Sequence, residues 1–345
     1  MSPAPRWIAA SATALLALGL AACSTGSDDT AAEPTTGSGT EFEAVTIEHA
    51  FGTTVIEEKP ERVATVAWAN HEVPLALGVV PVGMAAANFG DDDGNGMLPW
   101  VEEKLEELGG EAPVLFDEND GIDFEAVAGT EPDVILAAYS GLTQEDYDTL
   151  SEIAPVVAYP ENAWGTDWRE MIEFNALGMG MGDEGEQLIA DLEDEMAEKV
   201  AAYPALEGKS VAFMTHVDPT DLSEISFYST HDTRVKFFED LGLTHPQSIL
   251  DASDATEEFA ITVSTEQADS FSDVDVIVTY GDASMIDALA SDPVLAQMPA
   301  VANRAIVALP SSAPLGTAAN PTPLAISWIL DDYLGLIAEA ASASA

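Results

Sequence analysis

Cysteine is almost absent from this chain: Cys23 is the only one in 345 residues. A single thiol excludes an intramolecular disulfide, so the fold must stand on its apolar core. Positive charge is nearly as scarce, with ten lysines and arginines against 62 aspartates and glutamates and a formal net charge of −52. No basic stripe exists that could displace the counterions of a phosphate backbone, which excludes nucleic acid as a partner. The five histidines, at positions 49, 71, 216, 231 and 245, lack the short spacing that builds a metal site. Motifs for nucleophiles and phosphates are missing as well. There is no G-x-S-x-G and no P-loop, and the HE at 71–72 lacks the second histidine of H-E-x-x-H. An enzyme is therefore not expected; a lipid-anchored hydrolase would need a site of another design. After the first twenty residues, no run has the length and apolar purity of a membrane span.

What is present is enough apolar residue, 47%, to build cores despite the acidity. The excess of acid reads as a solubility device, suited to a salty surrounding. At the N-terminus, Arg6 precedes an apolar run over 7–20 and then LAAC, ending on Cys23. This is the layout of a short signal peptide, residues 1–22. It resembles the lipobox of bacterial lipoproteins, which implies that Cys23 carries a lipid. The following STGSDDTAAEPTTGSGTE has no periodicity and reads as a tether, so that 23–41 is a lipidated cysteine plus a flexible link. As a coil the link would span about 25 Å.

From residue 42 the pattern is globular. Strands are expected at 62–68 (RVATVAW), 80–85, 113–116, 134–138 and 154–159, with short helices at 72–77 and 100–108 between them. Residues 166–204 contain no strand; helices at 167–177 and 183–203 flank a GMGMG break, and Leu188, Leu192, Met196 and Val200 mark one apolar face. Strand–helix alternation then resumes at 210–215, 234–241, 274–279 and 305–309, ending in a helix over 323–340. The expected architecture is α/β, with an N-terminal lobe 42–165, a connecting spine 166–204 and a C-terminal lobe 205–345.

The lobes repeat one grammar. FEAVAGTEPDVILAAYSG (124–141) and STEQADSFSDVDVIVTYGD (264–282) each place an N-cap (Asp123, Ser264) two residues before a glutamate. Each then runs through a short helical stretch to a DVI strand and a tyrosine. With KPERVATVAW, ALGVVPVG and the helical spine, this order of motifs resembles substrate-binding lipoproteins of iron–siderophore ABC transporters. Cobalamin- and haem-binding relatives belong to the same family. The resemblance spans nearly all of 42–338 and implies the class III periplasmic-binding-protein fold: two lobes of mostly parallel sheet flanked by helices, joined by a long helical spine. It implies a monomer on the outer face of the cytoplasmic membrane, held only by its lipid. It also implies that Glu125 and Glu266, one per lobe, dock into arginine pockets of a permease dimer, a pairing whose bidentate geometry fixes orientation.

In parallel sheets ligands bind beyond the carboxyl ends of the strands. The residues so placed include Trp68, Asn88, Tyr139, Trp164, Tyr228, Arg234 and Tyr280, with Asn70, His71, Ser140, Tyr159 and His216 also at strand ends. Their aromatic content suits a large, partly apolar ligand such as a ferric siderophore, and Arg234 could donate to chelate oxygens unless it pairs with an acid such as Asp232. A trianionic catecholate complex is disfavoured in so acidic a protein, which leaves hydroxamate or mixed chelators preferred. The alternative is a haem or bare-metal receptor using His71, His216, His231 or a tyrosine. Separately, GDDDGNGMLPWVEE fits a calcium-loop pattern through Asp91, Asp93, Asn95, Gly96 and Glu102, although a strand precedes it and Pro99 breaks the usual ligand set. No cofactor is required by the sequence; structural calcium is the one candidate.

Overall fold

A computed structural model describes residues 42–343; the signal segment, Cys23 and the tether lie outside the described residues. The described chain opens with a hairpin of β1 (Val45–His49) and β2 (Gly52–Ile56). Ile47 and His49 face inward while Thr46 and Glu48 face solvent, the period-two pattern of a strand with one covered face. There follow β3 (Val63–Thr65), α1 (Glu72–Ala76), β4 (Gly83–Ala85), α2 (Pro99–Leu108), β5 (Val114–Phe116), α3 (Phe124–Gly129), β6 (Val134–Ala137), α4 (Gln144–Ser151) and β7 (Val156–Ala158). The last five strands form a parallel sheet in the order β5-β4-β3-β6-β7. β3, β6 and β7 are buried on both faces, so their sequences are unbroken apolar runs.

The helical spine consists of α5 (Trp168–Gly178) and α6 (Gly182–Val200), packed on each other. Asp167 caps α5, accepting from the Arg169 and Glu170 N–H groups, and Glu170 completes a capping box. Between the helices Gly180 takes φ +64, and a Cβ there would lie 2.4 Å from the Phe42 ring. Gly185 allows α6 to close on α5, since a Cβ would sit 2.6 Å from that of Ala176.

The second half contains β8 (Val211–Met214), β9 (Glu224–Tyr228), α7 (Thr233–Asp240), α8 (Gln247–Ser253), β10 (Ala260–Ser264), β11 (Val276–Tyr280), α9 (Ala283–Ser291), α10 (Pro299–Ala302), β12 (Ile306–Leu309), α11 (Pro314–Ala318) and α12 (Pro323–Ala343). The stretch with Glu266 is a 3-10 helix, Thr265–Phe271. The sheet order is β10-β9-β8-β11-β12, with β8, β11 and β12 parallel and β9 running against both neighbours. Tyr228 thus ends the one reversed strand, six residues before Arg234.

The repeated grammar has a repeated anchor. Asp133 Oδ2 accepts the Arg62 N–H at 2.9 Å just before β3, and Asp275 Oδ2 accepts the Ser210 N–H at 3.0 Å just before β8. Each aspartate therefore sets the register of its strand against the first parallel strand of its sheet. One apolar core contains Val63 and Leu136 from the first sheet, Val211, Phe213 and Val278 from the second, and Ile329, Leu330, Tyr333 and Ile337 from α12. The outer face of each sheet has its own smaller cluster. Glu72, fully buried in α1, adds a polar tie: it accepts from Trp100 Nε1 at 2.7 Å and from the Leu324 N–H at 2.9 Å, capping α12.

Candidate ligand site

Ala67 and Ala69 both take φ +60, so the chain leaves the first sheet after Thr65 and not at Trp68 as expected. Each left-handed alanine costs about 1 kcal/mol. Two side chains hold the turn. Glu118 Oε2 accepts the Ala67 N–H at 2.9 Å. Asn70 is fully buried: its Nδ2 donates to the Val66 and Tyr139 carbonyls at 2.8 and 2.9 Å, and its Oδ1 accepts the Tyr139 N–H at 3.0 Å. Asn70 is therefore a clamp between β3 and β6, not a lining residue. The turn it secures presents Trp68.

Trp68 lines a cavity of about 300 Å³ at the carboxyl ends of β3 to β6, together with Asn88, Glu118, Leu142, Asp146 and Trp164. Trp164 also has φ +60, and its N–H donates to the Ser140 carbonyl at 2.9 Å. The indole lies over Gly141, where a Cβ would fall 2.2 Å from Nε1, and the side chain is 44% exposed. Its outward edge is thus open to a ligand. Burial pushes the Glu118 carboxyl up to about 7, the Ala67 N–H opposing only in part, and its second oxygen, Oε1, has no hydrogen-bond partner.

A second cluster lies on the other sheet. Arg234, in the first turn of α7, has its guanidinium 4.0 Å above the Tyr228 ring. Asp232 grips it with both oxygens, at 2.8 Å to Nε and 2.7 Å to Nη2, and Nη1 points to the Tyr280 hydroxyl at 3.5 Å. Burial works against the charge, but the Asp232 pair outweighs it and holds the guanidinium protonated. Burial pushes the Tyr228 phenol up to about 12, against the pull of Arg234. His216 stacks on Tyr280 at 4.3 Å, and burial and then the Arg234 charge lower its pKa. Both readings of Arg234 thus come together: it is paired with Asp232 and it faces the aromatic wall.

Tyr139 joins the two groups. Its ring meets Trp164 edge-on at 5.4 Å, and its hydroxyl accepts from Asn320 Nδ2 at 3.3 Å. Asn320 Oδ1 in turn accepts from Thr233 Oγ1 at 2.8 Å, beside Arg234. Asn320 and Glu118 were missed by sequence reasoning, since neither stands out in a polar loop. Glu118 had a usable signal, its position two residues beyond β5.

Other candidates fall elsewhere. Ser140 Oγ bonds the Ala137 carbonyl at 2.7 Å and the Tyr159 hydroxyl bonds the Leu142 carbonyl at 3.1 Å, both buried. His71 is buried with an unpartnered Nδ1, and desolvation lowers its pKa to about 4, so it is neutral. His231 Nε2 lies 2.9 Å from the Thr256 carbonyl. The calcium pattern does not form a convergent donor set. Asp91 turns its oxygens onto the Gly94 and Gly96 N–H groups, both at 2.7 Å, and Asn95 bridges Asp93 and Glu102. Desolvation raises the Asp91 pKa, but the N–H bonds together outweigh it and hold the carboxyl below the usual carboxylate range. Among the described residues no group of three His, Cys, Asp or Glu side chains could hold a metal ion. Glu125 and Glu266 are both exposed in first turns, behind caps from Asp123 and Ser264.

Comparison with known proteins fits this arrangement. A family model described as periplasmic binding protein matches residues 63–313. A probable siderophore-binding lipoprotein of Bacillus subtilis, YfiY, is 26% identical over 237 residues, 68% of this chain and 67% of its own length. The structure of Streptococcus pneumoniae PiaA in complex with ferrichrome is 44% identical, covering 87% of this chain and 99% of its own, with a TM-score of 0.82. Staphylococcus aureus SirA, complexed with staphyloferrin B, shares the fold at 20% identity, covering 85% of this chain and 98% of its own, with a TM-score of 0.63.

Proposed function

The chain belongs to the periplasmic binding protein family, and we propose that it is the lipid-anchored receptor of an ABC transporter, binding a ferric siderophore and delivering it to the permease. One observation carries the reading. The Trp68–Trp164–Tyr139 wall and the Tyr228–Arg234–Tyr280 cluster lie at strand ends of the two sheets and are linked through Asn320. Aromatic faces suit the organic body of a chelate, and a guanidinium fixed by Asp232 offers N–H groups to its metal-bound oxygens. The receptor holds and releases its cargo; no bond of the chelate is made or broken.

In this reading 42–165 and 205–345 are the lobes and 166–204 the stiff link between them. Cys23 carries the anchor, and Glu125 and Glu266 are the contacts to a permease dimer. The shared core and the Glu72 tie favour a cleft that closes little on binding. The chain acts as a monomer. Titration of the purified protein with ferrichrome, followed by tryptophan emission, tests the reading: saturable quenching is expected. Tight haem binding with a strong Soret band and no response to any ferric siderophore would replace it with the haem reading. Cys23→Ala should move the protein out of the membrane fraction.

A further inference from the structure

The cavity on the first sheet has a chemistry that an aromatic ligand wall does not need. Two of its lining residues are carboxylic acids, Glu118 from the loop after β5 and Asp146 from α4, and none is a lysine, arginine or histidine. The ends of β3, β4 and β6 add no titratable group to it. Trp68 and Trp164 line the same space, and an indole is the aromatic face that attracts cations most strongly. Glu118 lines the cavity and its Oε1 has no hydrogen-bond partner, so the carboxyl keeps unused acceptor capacity there. Asp146, by contrast, is occupied in part by the capping box of α4 through the Thr143 N–H and hydroxyl. Arg234, in the cluster on the other sheet, is already paired with Asp232.

We propose that this cavity receives a protonated amine arm of the ferric chelate, seated between Trp68 and Trp164 with its charge against Glu118 and Asp146. The proposal rests on the receptor reading above and names the ligand class within it: a hydroxamate chelate carrying a free ammonium group. The raised Glu118 pKa accords with a carboxyl that waits for a cation, and a bound ammonium would stabilise its ionised form. The cavity has room for an alkyl ammonium arm, and the iron centre is then assigned to the Arg234 side.

Ferrioxamine B and its N-acetyl derivative form a clean pair of probes, since they share one iron centre and differ in a single charge. Their dissociation constants are measured by tryptophan quenching on the full chain and on Glu118→Gln, at pH 6 and pH 8. The ammonium form should bind the wild type roughly fivefold or more tightly than the acetylated form. That ratio should be larger at pH 8, where Glu118 is ionised, and should fall towards one in Glu118→Gln. Equal affinities in the wild type, or a ratio that survives the substitution, overturn the proposal. If ferrichrome binds and neither ferrioxamine does, the amine arm is wrong and the receptor reading stands. If no ferric siderophore binds, both fail. Should Glu118→Gln melt early, Asp146→Asn and the wild-type ratio decide the matter.

Discussion

Glu72 and Leu324 stand 252 positions apart, yet a Glu72 carboxylate oxygen accepts the Leu324 N–H at 2.9 Å. The other oxygen takes the Trp100 indole N–H, so one buried side chain joins α1, α2 and the start of α12. Burial raises the Glu72 pKa, and the hydrogen bonds from Trp100, Leu324 and Ala325 that favour the anion oppose this only in part. Removing the carboxylate would leave a buried indole N–H and helix N–H groups without acceptors.

Glu72→Ala is therefore expected to lose about 3 kcal/mol of stability, read as a lower urea midpoint. Glu72→Gln should recover part of it, since an amide oxygen can still accept. A loss under about 1 kcal/mol in the alanine variant would mean that α12 is held by its apolar face alone.

Glu118 should make stability fall as pH rises. Its folded pKa of about 7 stands above the ordinary glutamate value of 4.5, so the folded state holds the proton more tightly. The associated stability is present below pH 4.5 and is lost as pH passes through 7, a change of about 3 kcal/mol. Glu118→Gln lacks this term and keeps an acceptor for the Ala67 N–H. Its stability relative to the wild type should rise from pH 5 to pH 8; parallel curves would show that the carboxyl is not desolvated as the structure has it.

Arg234→Ala is expected to weaken ferric-siderophore binding by about 1–3 kcal/mol, measured by fluorescence titration. Arg234→Lys should restore only part, because an ammonium cannot lie flat on Tyr228 and fill both Asp232 oxygens together. Full recovery by lysine would show that only charge matters at this position.

Glu125→Ala and Glu266→Ala should each lower iron uptake in cells while ligand affinity stays within about twofold, and the double variant should abolish uptake. Both carboxylates are exposed in first helical turns, on opposite sheets' flanking elements. Uptake that falls only as far as ligand binding falls would assign these residues to the cleft.

The sequence by itself determined what could be carried by pattern. Buried parallel strands such as VILA and VIVTY read as apolar runs because both faces are covered, and α12 reads from apolar residues three and four apart. The matched DVI segments were legible because each aspartate does one local task, hooking the residue before the neighbouring strand. Tertiary structure alone decided the rest. Nothing local marks Ala67 and Ala69 as left-handed, since alanine does not prefer that region and the turn is held by distant groups, the Glu118 carboxylate and the Tyr139 backbone that Asn70 binds. The reversed direction of β9 depends on its partners β8 and β10, which no single strand encodes. The site itself is the clearest case: Glu118, Asn320 and Tyr139 acquire their roles only when folding brings loops from both sheets within hydrogen-bond reach.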